Sequence, residues 1–412
     1  MPPRSRRLAG LGVSPILQMA AKAAGQREQG RRVISLSAGE PDGDTPDHIK
    51  AAAMDALRAG ATRYTPLTGT PELRRAIAET LRRSHDCDYR LDEIIVSAGA
   101  KQCIFNALMA TLDPGDEVIL AAPYWTSYID IVRLCGGVPV VLPGEEANGF
   151  KLTAAALAAA IGERTRWVIL NSPANPTGAV HDEAECRALL AVLRQHHRVW
   201  ILSDEIYAPM VFDGRTAVPP AALMPELRPR ILTVNGVSKA YAMTGWRIGY
   251  AAGAAALIAM MAVVQSQSTS CACSISQAAA TAALTGPQDT VAAMRASLQQ
   301  RRDLTLRALA QIPGLRCPKP QGAFYAFVGC ADLLAAQADR AGPDSGIADD
   351  VWFCEQLLAQ QGVAAVPGSA FGMPGYFRLS YATAPADLAE ALQRLERFCA
   401  EIARAGRRRA GA

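Results

Sequence analysis

No apolar run in the 412-residue chain approaches the ~20 residues that a membrane-spanning helix needs, so a spanning segment of that kind is excluded. No Cys-x-x-Cys or His-x-x-x-His occurs. The ten cysteines and five histidines form no cluster with zinc spacing, and no metal site is expected. No Gly-x-Gly-x-x-Gly follows an apolar strand-like run, which argues against a nicotinamide dehydrogenase. An excess of charge of one sign is lacking as well. The formal net charge is +4, and part of it sits in Arg4, Arg6 and Arg7 at one end and Arg404, Arg407, Arg408 and Arg409 at the other. Without interleaved aromatic residues, such runs read as solvated, frayed tails and not as a nucleic-acid footprint. Gln18 and Lys22 interrupt the opening stretch, so it lacks the continuous apolar region of an export signal. Several cysteines lie in apolar runs, where a thiol acts as a small hydrophobe; reduced thiols and a cytoplasmic setting are expected.

What is present suits a globular enzyme: 50% of residues are apolar and 19% charged, with length enough for two or three domains. Residues 14–30 read as an amphipathic helix, with Ser14 as N-cap and Pro15 at the first helical position. VISLS is a short strand that runs into a Gly/Pro/Asp-rich loop. A helix follows through Arg58, and another starts near Thr70 or Pro71 with Glu72 in its first turn. From EIIV to IGYAAG, apolar strands alternate with helices, which predicts a mostly parallel sheet covered on both faces. Beyond a long helix over about 289–312, GAFYAFV, VWFCEQLLAQQGVAAVPG and YFRLSYA read as α+β. The expected organisation is an α/β chain: an N-terminal arm and part of a small domain over 1–45, a large domain over 46–288, and a small C-terminal domain over 289–412.

Strand ends carry polar residues that packing would not choose. RILTVN is followed by Ser238, Lys239 and then Arg247. A lysine leaving a buried strand is partly desolvated, which favours the neutral amine that condenses with an aldehyde. After EIIV come Ser97-Ala98-Gly99-Ala100-Lys101 and a helix, whose first N–H groups can cradle a phosphate; an ordinary tight turn would look the same. Asn171-Ser172-Pro173-Ala174-Asn175-Pro176 follows WVIL and also suits a turn. Asp204, Glu205 and Tyr207 follow VWILS, where an acidic residue serves equally as a helix cap. Together these ends bring an anion cradle, a carboxylate, a phenol, an amide, an amine and an arginine to one sheet edge, where ligands of open α/β sheets bind. Arg378, set between Phe377 and Leu379, is costly to bury unless paired.

The ordered stretches SAGEPDGDTP, RYTPLTGTPELRRAI, SAGAKQ, PYW, NSPANPTG, SDEIY, VNGVSKAYAMTGWRIGY and YFRLSYAT run from residue 37 to 383. As a set they resemble the class I/II aminotransferases of pyridoxal-phosphate fold type I, and within them the aspartate aminotransferase-like subgroup. The resemblance implies a large domain with a seven-stranded-type sheet and a cofactor, pyridoxal 5'-phosphate, held by Lys239 as a Schiff base during ping-pong half-reactions. It makes Lys239 the acid/base, Asp204 the partner of the ring nitrogen, and Tyr207 and Asn175 the partners of the ring hydroxyl. It places Trp125 against the ring, and Gly99, Ala100, Lys101, Ser238 and Arg247 around the phosphate. A tyrosine matching Tyr64 reaches across from a neighbouring subunit, which implies a homodimer with shared sites. Arg378 would grip the substrate α-carboxylate beside Gly39, a bidentate contact that lysine would make poorly.

Two positions depart from that pattern. Gly43 stands where relatives carry a bulky aromatic, and Ile16 where acidic-substrate relatives often carry a hydroxyl, while Lys101 can still meet a distal carboxylate. The expected substrates are therefore an amino acid and a 2-oxo acid, with aspartate, glutamate or broader, including aromatic, donors. A lyase, replacement or cyclisation enzyme on the same fold is the competing expectation, because the surroundings decide the fate of one common carbanion. Cys271 and Cys273 lie in a stretch that resembles a subunit-contact loop and receive no role.

Overall fold

The structure is a computed structural model that describes residues 4–335 and 349–407. Arg408 and Arg409, part of the expected basic tail, lie outside the described residues. Arg404 does not sit in a frayed tail: the helix Pro385–Arg407 runs through it, its period-matched apolar face packing Leu388, Leu392, Leu395 and Phe398 into the core. At the other end Arg4, Arg6 and Arg7 are exposed as expected, though Arg6–Leu8 closes a short 3-10 turn.

The strands, in chain order, are β1 (Ile34–Ser35), β2 (Ile94–Ser97), β3 (Glu117–Ala122), β4 (Val138–Pro143), β5 (Thr165–Asn171), β6 (Trp200–Asp204), β7 (Ile231–Gly236), β8 (Gly249–Ala252), β9 (Tyr325–Gly329), β10 (Val363–Ala364), β11 (Val366–Pro367) and β12 (Tyr376–Ser380). Seven of them form one sheet in the order β2-β8-β7-β6-β5-β3-β4. β8 runs antiparallel to β2 and β7; the other neighbours are parallel. The apolar runs are near-continuous because both faces are covered. Cys103, Leu108, Tyr128 and Met261 pack on one face; Ile77, Leu189, Leu193 and Ala279 belong to the core on the other. Each such aliphatic side chain contributes about 1.5–3 kcal/mol on full burial.

Local chemistry sets the helix boundaries. Thr70 Oγ1 accepts Leu73 N–H at 3.3 Å and Pro71 opens the helix Pro71–His85, while Asp182 and Glu185 form a reciprocal capping box at the start of Glu183–Gln195. Register then decides the site. Asn171 lies opposite Asp204, and Asp204 opposite Val234, so β5 and β6 end level at one edge and β7 runs two residues further, to Gly236.

A smaller antiparallel sheet, β11-β12-β9, sets Arg378 opposite Val366 and Phe327. An aromatic cluster of Phe150, Phe327, Phe371 and Tyr376 packs beneath it, with Phe327 and Tyr376 stacked at 5.0 Å. β1 pairs in parallel with β10, which brings the N-terminal segment beside the last part of the chain. The long helix ends at Leu309, three residues short of the expected Ile312.

Candidate active site

At the ends of β5, β6 and β7 the chain leaves a cleft of about 240 Å³. Lys239, Asp204, Tyr207, Ala100, Lys101, Trp125, Asn175, Ser238, Arg247, Gly39, Arg378 and Ile16 all line it. Residues spread over more than 350 positions of sequence thus meet at one place. Gly99 is not among the lining residues but adjoins Arg247: a Cβ on it would lie 2.2 Å from the guanidinium. Tyr64 stands apart, 92% exposed. Gly43 is not among the lining residues, and a Cβ there would meet nothing within 4 Å.

Lys239 follows β7 and donates to the Gly39 carbonyl at 2.5 Å. Burial, reinforced by the Arg378 charge, lowers its ammonium to about 8. Asp204 ends β6, and burial pushes its carboxyl up to about 6 against the pull of a hydrogen bond from Tyr128. It is not a helix cap; its Oδ1 accepts Ile206 N–H at 3.3 Å within a turn. Arg247 adopts a left-handed φ of 56° just before β8, and its guanidinium donates to the Thr244 carbonyl at 2.8 Å and the Ala98 carbonyl at 3.2 Å. The Lys101 ammonium lies 4.9 Å from the centre of the Trp125 ring, and burial lowers its pKa.

Arg378 is fully buried. It donates to Asn175 Oδ1 at 2.9 Å and the Ser37 carbonyl at 2.7 Å, and it lies 4.4 Å over the Tyr325 ring. Among the described residues its Nε has no hydrogen-bond partner and no carboxylate pairs with it. A buried guanidinium with no carboxylate beside it and an unused N–H is a receptor for an incoming anion.

Several lining residues escaped the sequence reading. Tyr128 donates to Asp204 Oδ2 at 2.5 Å, Tyr325 pairs its hydroxyl with that of Tyr207 at 2.8 Å, and Asn171 bonds both the Asp204 carbonyl and the Asn175 N–H. Ser14, expected as an N-cap, makes no capping bond, and its Oγ lies 3.4 Å from Thr126 Oγ1 at the cleft wall. Asn171 carried a signal, a polar residue closing an apolar strand. The tyrosines carried none that separates them from core aromatics.

In chemical terms the cleft offers a lysine near neutrality, a buried carboxylate, cations at two depths and a phenol pair. The profile of aminotransferase class I and II matches residues 31–395. The chain is 54% identical over 397 residues to an aspartate aminotransferase of Rhizobium meliloti, covering 96% of each. It is 50% identical to an aspartate/prephenate aminotransferase of Cereibacter sphaeroides, covering 96% of this chain and 98% of that one. The crystal structure of the aspartate aminotransferase from Rhizobium meliloti superposes with a TM-score of 0.92 at 54% identity, covering 97% of this chain and 99% of that chain. The chain belongs to the class I and II aminotransferases and is a transaminase.

Proposed function

We propose that this chain uses pyridoxal phosphate to move the α-amino group of a dicarboxylic amino acid, aspartate or glutamate, to a 2-oxo acid. The observation that carries the reading is the meeting of a desolvated lysine, a buried carboxylate and a buried guanidinium with an unused N–H in one cleft.

The residues present fit the cofactor. The N-cap of the helix Ala100–Thr111 is Gly99, which has no side chain to cap it, and Gly249 lets β8 approach so closely that a Cβ there would lie 2.1 Å from Ala100 N. In this reading the N–H groups after Gly99, on Ala100 and Lys101, join Ser238 and Arg247 around the phosphate. Trp125 would lie against the ring, Tyr207 and Asn175 would hydrogen-bond its hydroxyl oxygen, and Asp204 would keep the ring nitrogen protonated. Bound pyridoxal phosphate supplies the electron sink for charge developed at the substrate Cα. Lys239, as the neutral amine, would take the proton from the substrate Cα and hold it for return. Arg378 and the Gly39 loop hold the α-carboxylate, and Lys101 meets the distal one. Ile16, Leu17 and Ile104 give the cleft an apolar wall, whose chemistry suits aromatic donors as well. The name of the Cereibacter relative, which pairs aspartate with prephenate, agrees with that breadth.

The reading includes a cytoplasmic homodimer in which the partner subunit's Tyr64 completes each phosphate site. Exposed Met54, Leu57, Tyr64, Met260 and Val263 supply apolar surface for such an interface. It also keeps the division into residues 1–45, 46–288 and 289–412, supported by the pairing of β1 with β10.

A half-reaction screen tests this. Purified holoenzyme is mixed with single amino acids, and the cofactor absorbance is followed without an acceptor. Aspartate and glutamate should convert it stoichiometrically to the amine form and yield their 2-oxo acids. Release of ammonia with no dependence on a 2-oxo acid would contradict it.

A further inference from the structure

Asp204 is 4% exposed, and its two oxygens are engaged from different sides. Oδ2 accepts the Tyr128 hydroxyl at 2.5 Å, while Oδ1 accepts only the longer Ile206 N–H bond at 3.3 Å. Among the described residues no other side chain donates to this carboxylate. Tyr128 is 2% exposed, on the helix Ser127–Leu134, and stands edge-on to Trp125 with ring centres 5.2 Å apart at 87°. One side chain therefore touches both the residue read as ring-facing and the residue read as holding the ring nitrogen.

We infer that Tyr128 is a positioning residue for the transfer reaction: its hydroxyl occupies Oδ2 of Asp204, keeps the carboxylate ionised, and leaves Oδ1 as the oxygen available to the cleft. This rests on the reading of the cleft as a pyridoxal-phosphate site. A buried carboxylate without a donor is expensive, and hydrogen bonds to its charged form offset that cost. The other titratable groups near Asp204 do not do this work. Glu205 disfavours its charge, the Cys103 thiol is held neutral by burial, Tyr207 bonds to Tyr325, and Lys239 acts on it from a distance while bonded to the Gly39 carbonyl. The Tyr128 phenol, pushed far above its ordinary range by burial, stays protonated and can only donate to Asp204. Without that donor the carboxylate would hold a proton more tightly and draw it off the ring nitrogen it serves.

The test compares wild type with Tyr128→Phe, which keeps the ring and its packing, after circular dichroism confirms the same fold. In apoprotein made with 13C-labelled aspartate, and with the Asp204 signal assigned through Asp204→Asn, the Asp204 titration midpoint should rise by about one pH unit in Tyr128→Phe. In protein loaded with 15N-labelled pyridoxal phosphate, the ring-nitrogen resonance at neutral pH should move from the pyridinium position toward that of neutral pyridine. An unmoved midpoint and an unmoved resonance in a folded variant would overturn the inference while leaving the cofactor reading intact. Wild-type protein that takes up no pyridoxal phosphate would overturn both.

Discussion

Lys239 shows how one residue can be functional at the expense of the fold. Burial lowers its pKa from the usual 10.5 to about 8, so the folded state disfavours the charged amine. The sign follows from linkage. The penalty is fully present below about 8 and disappears as pH rises through the unfolded value of ~10.5. Apoprotein should therefore gain stability between those values, as far as this group is concerned. Lys239→Met should raise apoprotein stability at pH 7 by on the order of 2 kcal/mol in urea unfolding, while cutting transamination by at least about a thousandfold. Unchanged stability would mean that the lysine is better solvated than its place in the cleft implies. Arg378 was legible because it interrupts an apolar run with a charge that packing cannot want, and Lys239 because it leaves the end of a buried strand, where an amine is partly desolvated. Tyr128 and Tyr325 were not legible. A tyrosine within an apolar helix or strand looks the same whether its hydroxyl meets a carboxylate, another hydroxyl or a bulk-water edge.

Elements place these residues, and the close approach of β8 to the helix Ala100–Thr111 is the tightest case. Glycine at 249 is required by space, since a Cβ would meet backbone atoms of Gly99 and Ala100 at 2.1–2.3 Å. Gly249→Ala should cost about 1–3 kcal/mol in denaturant midpoint and weaken pyridoxal-phosphate binding, because the displaced N–H groups are those read as the phosphate cradle. A stability loss with unchanged affinity would separate the cradle from the strand. The strand-helix alternation and most boundaries could be read from periodicity and caps, as at Thr70-Pro71. The direction of β8 could not, because a buried four-residue strand carries no mark of its orientation. Nor could β10 and β11, two residues each and defined by their partners.

At the scale of the molecule, Tyr64 is the residue that a single chain leaves without a purpose. It is 92% exposed, yet its loop is fastened from inside: buried Gln277 donates to Thr65 Oγ1 and the Ala272 carbonyl and accepts Thr70 N–H at 2.8 Å. A rigidly held, exposed aromatic suits a second subunit. The role expected for it came only from the family resemblance, since no spacing in one chain encodes a contact made by another. If sites are shared, Lys239→Ala and Tyr64→Ala protomers should complement each other. Mixed dimers should recover one wild-type-like site, seen as activity above that of either parent after subunit exchange. No recovery in verified hybrids would confine each site to one chain.

The central claim is that the Lys239 amine carries the cofactor. Borohydride reduction of the holoenzyme, followed by peptide mass analysis, tests it most directly. A pyridoxyl-phosphate mass should appear on the peptide that contains Lys239 and vanish in Lys239→Ala; a label on another lysine, or none, would contradict the account.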